Sequence, residues 1–123
     1  MRLHPLLAAL DGDRVFQRLV EALKTSDGAS QVLSAITPAR PYALAALHAA
    51  LGRPMLLVAG RPSEARAFVN ELRAWVPDAE SVLLFPETDA LPYDRLPNDP
   101  DKLAERLGTL ERLAGLAAHK TPR

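Results

Sequence analysis

The stretch FPETDALPYDRLPNDPDKLAERLGTL, residues 85–110, changes character twice along its length. It opens as the end of an apolar run, passes through Pro86, Pro92, Pro97 and Pro100, and closes as an amphipathic pattern. Each proline fixes φ near about −65° and removes a backbone donor, so the middle of the stretch is stiff. Stiffness lowers the ordering entropy that a long connection otherwise loses on folding. A stiff connection between an apolar run and a helix reads as a crossover in a chain that alternates strands with helices.

The residues before it fit that alternation. Asp11 or Asp13 is placed to cap a helix whose stripe is Phe16, Leu19, Val20 and Leu23, at i, i+3, i+4, i+7. TSDGAS (25–30) stops it with turn residues and Gly28. QVLSAI (31–36) reads as a strand, TPARP (37–41) as a loop, and YALAALHAAL (42–51) as a helix with Pro41 in its first turn and Gly52 at its end. PMLLVAG (54–60) and SVLLF (81–85) are continuous apolar runs, the pattern of strands buried on both faces. Between them Ser63 is placed to cap a helix that runs through Trp75 and stops at Pro77. After the crossover Asp101 starts a last helix, with Leu103, Leu107, Leu110 and Leu113 on its inner side. Strands alternating with helices predict an α/β fold, a three-layer parallel sheet with helices on both faces.

The chain has 123 residues, about one domain, and is 48% apolar, enough for one modest core. Fifteen basic and fifteen acidic side chains cancel, which argues against a dedicated nucleic-acid or membrane-surface module. With no cysteine, disulfides and thiolate metal sites are excluded. The apolar part of residues 1–10 is too short to span a bilayer and no small-residue cleavage site follows it, so a soluble cytoplasmic protein is expected.

In an open parallel sheet, ligands bind beyond the carboxyl ends of the strands. The first such loop is Thr37, Pro38, Ala39, Arg40, Pro41 and Tyr42. A phosphate cradle needs glycines whose neighbouring N–H groups converge, and a Lys followed by Ser or Thr. This loop has neither glycine nor lysine, and Pro38 and Pro41 remove two donors, so it reads as structural, with no cofactor bound. His4, His48 and His119 do not pair at metal-ligand spacing, and no metal is expected. Glu87, Asp89, Asp94, Asp99 and Asp101 are spread along a connection, with Arg95 and Lys102 among them. That arrangement fits turn and cap chemistry better than a carboxylate pair held in a cleft. Lys102 and Arg106 share a helix face, which reads as a solvated face interleaved with acids. No catalytic residue is assigned.

Residues 85–113 resemble a hallmark of the N-terminal region of bacterial transcription-repair coupling factors. That family has an acid–x–LPY–D segment, then a proline and an acidic helix start, then an ERLxTLxxL helix. Asp89, Leu91, Pro92, Tyr93, Asp94, Glu105, Arg106, Leu107, Thr109 and Leu110 fall in place, and Arg95 lies within the segment. The resemblance covers about residues 31–116. It implies that 1–30 form an N-terminal helix and linker, 31–118 a degenerate P-loop NTPase-like domain, incomplete in this chain, and 119–123 a tail.

The family's module is similar to the damage-binding helicase component of the bacterial excision nuclease, whose phosphate loop works. In the coupling factor the module does not hydrolyse ATP, and Arg40, Pro41 and Tyr42 stand roughly where the Gly, Lys and Thr of a working loop would be. The helicase component also carries a DNA-threading β-hairpin after its third strand. Fifteen residues separate Phe85 from Asp101 here, too few for that hairpin and its connections. The family's later domains use ATP and magnesium, bind RNA polymerase and translocate on double-stranded DNA. The A component of the excision nuclease is recruited mainly through an adjacent domain. The resemblance thus implies a non-catalytic scaffold, with 89–95 and Glu105–Arg106 as an interdomain motif. The alternative is an independent nucleotide-binding, helicase-like ATPase.

Overall fold

The structure is a computed structural model that describes residues 3–25, 30–87 and 99–119. Its elements among these residues are helical: α1 (Arg14–Thr25), α2 (Arg40–Leu51), α3 (Pro62–Trp75) and α4 (Pro100–His119), with 3-10 turns at His4–Leu10, Thr37–Ala39 and Ala79–Ser81. Two compact units are formed, one from Met1–Val58 with Ala67–Val82, the other from Ala59–Arg66 with Leu83–Arg123.

In the first unit α1 begins where Asp13 Oδ1 accepts the Phe16 N–H at 2.8 Å, an orphan donor of the first turn. Its stripe turns inward, with Val20 buried and Phe16, Leu19 and Leu23 half-buried. The turn expected at 25–30, with Gly28, falls largely outside the described residues. α2 has the composition of a strong helix former and carries Pro41 in its first turn, where no donor is lost. It ends at Gly52, whose φ of 61° lets its N–H close onto His48 O at 3.0 Å. The core of this unit is small: Val20, Ala45, Ala46, Leu47 and Val76, with Pro41 fully buried. The side chains at 45 and 46 are single methyl groups, which lets α2 pack closely against α1 and against the turns at His4–Leu10 and Thr37–Ala39. The seven-residue turn His4–Leu10 was not legible in the sequence. Its approach is fixed by the Leu3 N–H, which donates to Ala74 O at 2.8 Å.

Two caps differ from expectation. Ser63 is the second residue of α3, not its cap; Pro62 opens the helix and the Ala65 N–H closes onto Arg61 O at 3.1 Å. α4 is capped by Asp99, whose Oδ1 accepts the Asp101 N–H at 3.0 Å, so Asp101 sits inside the first turn.

The expected α/β architecture is overturned: no described residue belongs to a sheet, and so the three-layer, P-loop NTPase-like arrangement is absent from the described residues. The segments expected as strands, 31–36, 54–60 and 81–85, form no strand among the described residues; apart from Ser81, in a 3-10 turn, they have neither helix nor sheet. Their side chains are not buried on two faces: Val32 is 95% exposed, Leu56 91% and Val58 83%. The physical reason lies in what a continuous apolar run encodes. It favours an extended backbone and rewards burial, but a strand also needs a neighbour about 4.8 Å away to take its N–H and C=O groups. Here apolar burial is supplied by helix on helix, and several extended carbonyls are taken by side chains instead.

The inner face of α4 is corrected too. Leu103, Leu107, Leu110 and Leu113 are each about half exposed, while Thr109 is buried. Among the described residues no helix is long and apolar enough to cross a membrane.

Gly52→Ala forces a Cβ into left-handed backbone and should cost about 1 kcal/mol. Urea denaturation is expected to show a lower midpoint with unchanged slope; an unchanged midpoint would show that α2 does not depend on this turn.

Candidate functional site

The loop 37–42 sits wholly in the first unit. Thr37–Ala39 form a 3-10 turn that runs directly into α2, and Arg40 Nε donates to Ala35 O at 3.4 Å. Pro41 is fully buried. The Tyr42 ring stands 4.9 Å from that of Trp75, tilted by 53°, and its hydroxyl donates to Leu6 O at 3.2 Å. Such tilted ring pairs contribute about 0.5–1.5 kcal/mol beyond the area they bury. Pro41 is thus buried within the first turn of α2, and Tyr42 meets Trp75 of α3 and the carbonyl of Leu6.

The second unit is built on an unusual join. The carbonyls of Leu84 and Pro86, two residues apart, both accept from side chains of α4. Thr109 Oγ1 donates to Leu84 O at 2.7 Å. Arg106 Nη1 donates to Pro86 O, and its guanidinium lies over the Phe85 ring at 4.0 Å from the centroid. Arg106 and Thr109 are about one helical turn apart and so lie on one side of α4, within reach of the same short segment. One face of α4 thus takes the place of a neighbouring strand. Two further groups support it. Pro86 is buried beside the join, and Glu105 pairs with Arg66 at 3.7 Å, an exposed ion pair that adds little.

Of the predicted motif, Glu105 and Arg106 meet structural partners in this unit. Asp89, Leu91, Pro92, Tyr93, Asp94 and Arg95 lie outside the described residues. The solvated face expected for Lys102 and Arg106 is corrected, because both are half-buried and Arg106 is turned onto the extended segment. Sequence reasoning counted Thr109 only as a motif match and missed its burial. The available signal was a hydroxyl three residues on from an arginine, on one side of the helix.

The other candidates remain apart. His48 is exposed on α2, and the side chain of His119 is outside the described residues. The Nδ1 of His4 is buried with no hydrogen-bond partner among the described residues. No cluster of three potential metal ligands occurs among them. Glu87 is exposed, and Asp99 and Asp101 serve the start of α4. A shallow open depression beside α1 is lined by Asp11, Phe16, Gln17, Val20, Glu21 and Lys24 and brings no catalytic pair together.

Comparison with models of protein families, with curated proteins and with solved structures finds no match in any of the three.

Arg106→Ala removes a charge-assisted bond and leaves Pro86 O without its donor, at a cost of about 1.5–3 kcal/mol. Arg106→Lys keeps the charge but loses the planar stack. A double-mutant cycle with Phe85→Leu is expected to show a coupling of about 0.5–1 kcal/mol. Zero coupling would mean that the ring contact contributes nothing.

Proposed function

We propose that this chain is the N-terminal, non-catalytic module of a transcription-repair coupling factor, a bacterial cytoplasmic DNA translocase that displaces stalled RNA polymerase and recruits nucleotide excision repair. Its part is that of a scaffold between domains. The observation that carries the proposal is the join of α4 to residues 84–86. Arg106 and Thr109 of the ERLxTL pattern are the residues that tie this unit together. A motif kept for chemistry would aim its arginine at open space; here the arginine holds backbone. The proposal rests on these residues and does not require a sheet.

In this reading ATP and magnesium belong to later domains of the whole protein, as do RNA polymerase and double-stranded DNA, and the A component of the excision nuclease docks mainly on an adjacent domain. The loop 37–42 supports the absence of nucleotide chemistry in this module, since Pro41 and Tyr42 are committed to packing.

Calorimetric titration with Mg-ATP tests the non-catalytic part. No heat is expected at millimolar nucleotide; clear magnesium-dependent binding would overturn it and favour an independent helicase-like ATPase. For the scaffold, Tyr93→Ala at the equivalent position of a whole coupling factor is expected to raise basal ATPase while leaving the polymerase-binding domain intact. Unchanged basal ATPase would sink the interdomain role.

A further inference from the structure

The side of α4 that holds residues 84–86 is not the side that carries its leucine seam. Arg106 and Thr109 donate to the carbonyls of Pro86 and Leu84. Leu103, Leu107, Leu110 and Ala114 follow one another at intervals of four, three and four residues. At about 100° per residue they fall within a stripe about 60° wide, centred roughly 100° around the helix from Arg106 and Thr109. The three leucines are each about half exposed, and Ala114 is exposed. All four belong to the second unit. Intervals of four and three that run past one heptad are those of a coiled-coil seam, so the surface that fits this stripe is another helix with the same repeat.

Three features choose α4 of a second copy as that helix. The first is size. A two-fold turn about the midpoint of Leu107 and Leu110 sets Leu107 against Leu110 of the second copy, and Leu103 against Ala114 of the second copy. Each end then pairs a large side chain with a small one, whereas parallel docking sets alanine against alanine and opens a gap there. The second is charge. The chain's formal net charge is +0, so two copies do not repel each other. The same turn brings Glu111 beside Ala104 of the second copy, so no acid faces an acid. No charged side chain has to leave its present contact: Arg106 stays on Pro86 O and Phe85, and Glu105 stays with Arg66. The third is direction, since antiparallel helices bring the positive end of each dipole to the negative end of the other.

We propose that α4 pairs antiparallel with α4 of a second copy along Leu103, Leu107, Leu110 and Ala114, in an isologous dimer. Four seam residues from each chain cover much less than the roughly 1,600 Å² of a standard interface, so the dimer is weak and forms as concentration rises. It goes beyond the coupling-factor reading and does not rest on it: that reading uses Arg106 and Thr109, on another side of α4, and the loop 37–42.

The test is sedimentation equilibrium of the full chain over a concentration series reaching about 1 mM. The wild type is expected to dimerise along the series. Leu107→Glu sets a charge at the centre of the seam and is expected to weaken association at least about tenfold. Circular dichroism of this variant checks that the helices persist. The chain has no cysteine, so introduced thiols read the contact and its direction. Oxidising an equimolar mixture of Leu103→Cys and Ala114→Cys is expected to link one variant to the other. Neither variant is expected to link to itself, because like positions lie about 16 Å apart across an antiparallel pair, too far for a disulfide. A wild type that stays monomeric across the series overturns the proposal, and a seam covered from within the same molecule gives that result. A helical Leu107→Glu that dimerises as the wild type does also overturns it and moves the contact to another surface. Each cysteine variant linking to itself rather than to the other shows a parallel pair and overturns it too.

Discussion

A backbone carbonyl withdrawn from water must find a donor, and at the partly buried carbonyls of Pro86 and Leu84 that donor is a side chain. Arg40, Arg53, Arg73 and Arg106 donate to the carbonyls of Ala35, Leu23, Val82 and Pro86, and Thr109 and Tyr42 to those of Leu84 and Leu6. Each bond ties a helix, or the turn after one, to a residue distant in sequence or to extended chain. The guanidinium suits this role because its fork offers several fixed donors and its plane can lie on a ring, as Arg106 lies on Phe85. The even balance of charge in the composition therefore conceals how the cations are used: four of the arginines act on neutral carbonyls rather than on acids.

The helices are legible in the sequence because their signals are local. The stripe of α1, the proline and glycine that bound α2, and the run to Trp75 in α3 each depend on residues within a few positions. The expected sheet fails because pairing is not local. PMLLVAG and SVLLF specify extended backbone, yet nothing inside either run says whether its neighbour is a strand, a helix side chain or solvent. The same limit applies to α4. Four leucines at helical spacing look like an inner face, but the side that packs is set by Arg106 and Thr109, whose partners Pro86 and Leu84 lie 20 and 25 positions back.

Within the candidate site the sequence shows a motif but not its mechanics. Arg106 and Thr109 stand at i and i+3, a spacing that suits two carbonyls two residues apart on extended chain. The loop at 37–42 reads as structural from its missing glycines and lysine, and the positions of Pro41 and Tyr42 give that reading a physical content. Pro41 is buried within α2, and Tyr42 ties α2 to the 3-10 turn at His4–Leu10.

Trp75 is the one tryptophan of the chain, and it belongs to the first unit, 4.9 Å from Tyr42. The protein therefore carries a built-in optical label on one of its two compact parts. Excitation absorbed by Tyr42 passes to the indole at that separation, so the emission reports whether α2 and α3 remain together. The far-ultraviolet signal sums the helices of both parts, so helical signal that outlasts the loss of the tryptophan signal belongs to the other part. Comparing the two during unfolding separates the loss of one unit from the loss of the other without any added dye.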